Sequence, residues 1–121
     1  MIEYTLTILQ QIPGIGVTYG FESGIVQIIV EGELATLGNL NAGTSRRHGL
    51  GSSLLHAGVC WAIEASATEM GGNLHGGEDA LMFYQSRRIS VIRGELHGTL
   101  TQVRDACWEA LQRHHVQYFI R

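Results

Sequence analysis

Arg46-Arg47-His48-Gly49-Leu50-Gly51-Ser52-Ser53-Leu54-Leu55 stands between a strand-like segment and the longest helical pattern in the chain. Downstream of it, Leu50, Leu54, Ala57, Trp61 and Ala65 recur at helical spacing. That spacing predicts a helix over about 49–69, ended by Gly71-Gly72. Leu55, Val59, Ala62 and Ile63 carry apolar character to further faces, so the helix is expected to be covered by a sheet and by another helix. Upstream, residues 34–40 read as a strand and residues 41–46 as a small polar loop. A strand that enters a helix through Gly-x-Gly has a use for both glycines. Without Cβ atoms, Gly49 and Gly51 let the backbone come close to a ligand, and the first N–H groups of the helix point outward. Those donors and the helix dipole make a site for a pyrophosphate, to which Arg46 or Arg47 adds charge. His48, Leu50 and Ser52 complete the candidate binding turn.

Further upstream, Ile2, Tyr4, Leu6 and Ile8 alternate with Glu3, Thr5 and Thr7, a period of two that predicts a strand. Pro13-Gly14 turns the chain, and strands are expected at 17–21 and 25–30. Glu22-Ser23-Gly24 joins them as a hairpin with Gly24 in the positive-φ position. Beyond the long helix, Asn73-Leu74-His75 reads as a short strand. Residues 78–88 read as a short helix, acidic at its start and basic at its end, and residues 89–92 as a strand. Thr99 is the expected cap of a helix whose buried stripe is Leu100, Val103, Cys107, Ala110 and Leu111. Residues 116–120 fit either class. The order predicts one α/β domain of the α+β type over 1–121, a mixed, mostly antiparallel sheet flanked by helices.

Composition narrows the chemistry. With 121 residues, 45% apolar and 16% charged, the chain has the totals of a single globular domain. A net charge of −3 gives no basic face for nucleic acid. All 8 cationic side chains are Arg, which excludes Schiff-base chemistry and a P-loop lysine. No signal peptide or membrane-length apolar run is visible, so the expected compartment is the cytoplasm, with Cys60 and Cys107 as buried thiols. The six histidines show no i, i+4 pair and the cysteines no close clip, so no metal site is expected. There is no Gly-x-Ser-x-Gly elbow.

The turn resembles the acetyl-CoA-binding motif of GNAT N-acetyltransferases, Arg/Gln-x-x-Gly-x-Gly/Ala, through Arg46, Gly49 and Gly51. Ala80, Phe83 and Tyr84 are similar to the family's Ala-x-x-Phe-Tyr, and the resemblance covers roughly residues 15 to 90. It implies acetyl-CoA as cofactor, an amine acceptor (small molecule or protein), and Tyr84 as the general acid that protonates the departing thiolate. Arg88-Ile89 stands where the family has Gly-Phe, and Gly77 where it often has Asn. With 45 residues before Arg46, the family's opening helices are shortened or missing, and the chain is read as closing on a helix. For the general base the candidates are Glu33, Glu31 and His75. Ile12-Pro13-Gly14-Ile15 also resembles the entry to the first strand of the Roadblock/dynein light chain family. That resemblance implies a non-enzymatic, homodimeric interaction domain. Small residues on the long helix and an open sheet edge allow a homodimer under either reading.

Overall fold

The computed structural model describes residues 1–43 and 47–121; Arg46 of the binding turn lies outside the described residues. The described elements run β1 (Ile2–Ile12), β2 (Gly16–Phe21), β3 (Gly24–Glu31), β4 (Leu34–Asn41), α1 (Leu50–Glu64), β5 (Glu69–Asn73), α2 (Glu78–Ser86), β6 (Ser90–Ile92), β7 (Glu95–Thr99), α3 (Leu100–Arg113) and β8 (Val116–Ile120). They form a mixed, mostly antiparallel sheet in the order β6-β7-β5-β4-β3-β2-β1-β8, so the α+β class holds. Only β4 with β5 and β1 with β8 pair in parallel.

Alternation along each strand decides which face is covered. Tyr4 and Leu6, Val17 and Tyr19, Val26, Ile28 and Val30, and Ala35 and Leu37 all bury on one face, against Leu54, Leu55, Val59 and Ala62 of α1. Burying each large aliphatic side chain contributes about 1.5–3 kcal/mol. α1 packs on β3, β2 and β4 and also on α3, the two-sided cover its sequence demanded. Its small residues serve the sheet: a Cβ on Gly58 would lie 2.7 Å from Ile28 Cδ1, so they are not a free docking stripe. α3 buries Leu100, Val103, Ala106, Cys107, Ala110 and Leu111, the expected stripe plus Ala106. Thr99 is at its N-cap, yet its side chain makes no capping bond. Trp61, read as core, is only half-buried.

Several expectations are corrected. α1 stops at Glu64, where Ser66 adopts φ 71, so a non-glycine residue makes the left-handed exit. Gly71-Gly72 lies inside β5 instead of ending the helix, and the fifth strand is Glu69–Asn73. At the β2–β3 turn the positive φ belongs to Glu22 (53°), not Gly24. β7 was not expected, and the chain's last described element is the strand β8, not a helix.

β4, α1 and β5 form a β-α-β unit with adjacent parallel strands. In that arrangement the helix begins just beyond the carboxyl end of the first strand, where α/β folds bind ligands. The pair also opens there. β4–β5 register runs from Leu34↔Glu69 to Leu37↔Gly72 and stops, while β4 continues to Asn41. At the parting point β4 bulges: Gln27 faces Asn39 and Ile28 faces Leu37, leaving Gly38 without a partner on β3. Gly72 has φ 144, and a Cβ there would lie 2.8 Å from the Leu37 carbonyl oxygen, so only glycine fits.

Candidate functional site

The first turn of α1 has no side-chain cap among the described residues. Gly49 is the N-cap in a left-handed conformation (φ 78), with no side-chain cap and no acidic residue in the first turn. The Leu50 N–H is taken by the Arg47 carbonyl at 3.2 Å, and the Ser53 N–H by the Gly49 carbonyl at 3.0 Å. The N–H groups of Gly51 and Ser52 have no backbone acceptor among the described residues. A helix end is normally capped, so two N–H donors with no acceptor among the described residues, beside a dipole's positive end, make a candidate anion-accepting position.

A cavity of about 350 Å³ opens over these donors, lined by His48, Gly49, Gly51, Ser52, Phe83 and Arg87 among others. A second, of about 160 Å³, lies between the end of β4 and α2 and includes Leu40, His75, Ala80 and Tyr84. Both share Ala42, Gly51 and Phe83, so they form two arms of one groove.

The two glycines have different reasons to be glycine. A Cβ on Gly49 would meet Val116 Cγ2 at 2.7 Å, so packing and φ both require it. A Cβ on Gly51 would make only ordinary contact with Phe83, at 3.6 Å. The fold alone does not require glycine at 51; what its missing Cβ leaves open is the groove.

Arg87 is the candidate site residue that sequence reading missed. Its guanidinium donates to Ser52 Oγ from Nε (3.2 Å) and Nη2 (2.7 Å), to Ser86 Oγ from Nη1 (2.8 Å), and lies 4.8 Å from the Phe83 ring centre. It is half-buried, and no carboxylate pairs with it among the described residues. Burial pulls its pKa down, with Arg113 adding to that pull while Cys107 opposes it. Arg residues remain charged regardless. The available signal was its position one turn beyond Tyr84, which was read as dipole complementarity.

Two imidazoles stand beside Arg87 in the first arm. His48 and His114 stack edge to face, 4.6 Å between ring centres. Desolvation, then His48, Arg113, Arg87 and His115, all lower the pKa of His114. Tyr4 fixes the turn by donating from its hydroxyl to the His48 carbonyl.

The other expected residues divide. Arg47 pairs with Glu22, both bonds at 2.9 Å, and does not line the groove. Leu50 is fully buried, so it offers backbone only. Tyr84 is buried on α2, lines the second arm, and its hydroxyl has no hydrogen-bond partner among the described residues. Among the described residues no fully buried polar side-chain atom lacks a partner, so this hydroxyl keeps some exposure to solvent. Burial raises its pKa. His75 shares that arm with Tyr84. Glu33 and Glu31 lie at the opposite end of β4, some 20 Å or more away at strand rise, and are not brought to the groove.

Among the described residues no three His, Cys, Asp or Glu side chains converge as metal ligands, and both cysteines are free. None of the described helices is long and apolar enough to cross a membrane.

No family model and no curated protein matches the chain. Among solved structures it is similar to the anti-CRISPR protein AcrVA5, with a TM-score of 0.58 and 20% identity over 69% of this chain and 96% of that one. At that identity the likeness is one of fold.

Proposed function

We propose that the chain is an N-acetyltransferase that moves acetyl from acetyl-CoA to an amine acceptor, small molecule or protein. The observation that carries this reading is Arg87, a half-buried guanidinium with no carboxylate partner among the described residues, held on Ser52 at the start of α1. The residues fit the group. The Gly51 and Ser52 N–H donors and Arg87 suit a pyrophosphate, and the bare face of Gly51 admits the rest of the cofactor along the groove. Arg46, Arg47 and His48 remain part of the proposed binding turn.

Bound acetyl-CoA supplies an activated thioester; the protein's part is to hold it, direct it and move protons. Burial keeps the Tyr84 phenol protonated at neutral pH, so its Oη holds a proton available to the departing thiolate. His75, in the same arm, is the candidate acceptor of the amine proton. Glu33, which the sequence offered for that task, sits at the far end of β4 and would need a different route.

The test is a thermal melt with and without millimolar acetyl-CoA, followed by acetyl transfer to a panel of amines. A ligand at 100 times its Kd adds about 2.7 kcal/mol, a shift of several degrees in a domain this size. No shift would overturn the reading. A shift without transfer would leave a cofactor-binding domain that does not catalyse, and a dimeric interaction module of Roadblock type would show neither.

A further inference from the structure

The two edges of the sheet are not treated alike. At one end β6 is only three residues long and bounded by the left-handed residues Arg88 and Arg93, too short to recruit another strand. At the other end β8 reads Val116-Gln117-Tyr118-Phe119-Ile120, with neither charge, proline, glycine nor bulge. Proteins ordinarily blunt such an edge or cover it.

The backbone of β8 shows what it offers. His115 and Arg121 turn their peptide groups to β1, through Ile2 N–H to the His115 carbonyl (2.9 Å) and Arg121 N–H to the Leu6 carbonyl (2.9 Å). Peptide groups alternate along a strand, so those of Val116, Tyr118 and Ile120 point outward. Apolar surface flanks this row on both sides. Phe119 is 52% and Ile120 43% exposed, and Trp108 of α3, which lines a cavity together with the strand, is 53% exposed. Beneath Trp108 lies a cavity of about 400 Å³, lined by His56, Leu111, Val116, Tyr118 and Ile120. The strand is rigidly placed, because Tyr118 Oη and His56 Nδ1 lie 2.6 Å apart and both are partly buried.

From these observations we infer that β8 is a homodimer interface, in which the β8 strands of two copies pair antiparallel about a two-fold axis at Tyr118. Tyr118 then meets the partner's Tyr118, and Val116 meets the partner's Ile120, each through its outward peptide groups. A two-fold axis through the middle of an uncharged strand sets apolar row against apolar row with no like charges opposed. It also stops at two copies, because each edge is consumed. Trp108 overhangs the incoming strand and closes the cavity. This inference does not depend on the acetyl-CoA reading, since no residue of β8 lines either arm of the groove.

Sedimentation velocity on the 121-residue chain, from low to high micromolar, is the test, with Ile120→Pro and Trp108→Lys as variants. Ile120→Pro removes an outward N–H, while Trp108→Lys charges an exposed position on α3. The expected result is a species of twice 13.3 kDa that both variants return to monomer with unchanged circular dichroism. Amide exchange at Val116, Tyr118 and Ile120 should slow as concentration rises. A monomer throughout, or a dimer that neither variant weakens, would overturn the assignment.

Discussion

Arg87 reaches back from the end of α2 and holds the Ser52 hydroxyl in the first turn of α1, at 2.7 Å through Nη2. The contact crosses 35 positions of sequence and brings a cation to a helix end that has no cap of its own. Phe83, under the guanidinium, shields one side and restricts its motion. The result is a preorganised donor set: two peptide N–H groups, a fork-shaped cation and a positive helix end.

Replacing Arg87 should therefore separate binding from folding. Arg87→Met keeps apolar contact with Phe83 but removes the charge, and hydrogen bonds to charged groups are worth about 1.5–3 kcal/mol. Acetyl-CoA affinity, measured by calorimetry, should weaken about 10- to 100-fold on that basis. Arg87→Lys should recover part of the loss, because an ammonium supplies charge without the fork. Unchanged affinity in both would remove Arg87 from the site.

The two glycines should respond in opposite ways. Gly51→Ala sits in a helix where alanine is favoured by about 0.5–1 kcal/mol and where its Cβ meets only Phe83 at 3.6 Å. The ligand-free melting temperature should hold or rise, while the shift produced by acetyl-CoA shrinks. Gly51→Glu should abolish that shift. Gly49→Ala should lower the ligand-free melt, since it meets Val116 at 2.7 Å in a left-handed conformation. A fall in the melt of Gly51→Ala would show that the glycine serves the fold.

Legibility followed the strength of local periodicity. The β1–β3 strands and α3 were readable because their apolar residues repeat at one period on one buried face. β5 was misread because Gly71-Gly72 looks like a helix stop: Met70 is its one buried side chain, and Gly72 serves close approach to Leu37. β7 was missed since Leu96 alone is buried in it, which leaves no alternation to detect. The Gly49–Ser52 half of the site is contiguous and could be read. Arg87 could not, because its role exists only once α2 is folded against α1.

Tyr84→Phe tests the acid. The change keeps the ring buried on α2 and removes only the hydroxyl, which makes no hydrogen bond among the described residues, so stability should change little. A general acid contributes about 10²- to 10⁴-fold, and kcat should fall within that range while acetyl-CoA affinity stays put. Burial raises the Tyr84 pKa, so the protonated form persists beyond the ordinary tyrosine value of 10.0, and the alkaline limb of the wild-type rate should lie above it. Loss of that limb in the variant, together with slowed turnover, identifies the hydroxyl; unchanged turnover excludes it.

His56 should make the fold acid-sensitive. Burial, with Arg104 adding to it and Asp105 opposing it, pulls its pKa below the usual 6.5. In the unfolded chain the same ring protonates near 6.5, so below that pH the unfolded state binds a proton that the native state refuses. Stability is thus fully present above 6.5 and declines as pH falls from 6.5 toward the depressed native value, where the slope ends. The wild-type melting temperature should drop across that window. In His56→Gln, which keeps an amide oxygen able to accept from the Tyr118 hydroxyl, the drop should flatten, even if the melt at pH 8 is somewhat lower. A variant as acid-sensitive as the wild type would move the effect to other groups, of which His114, also depressed but exposed, is the next to replace.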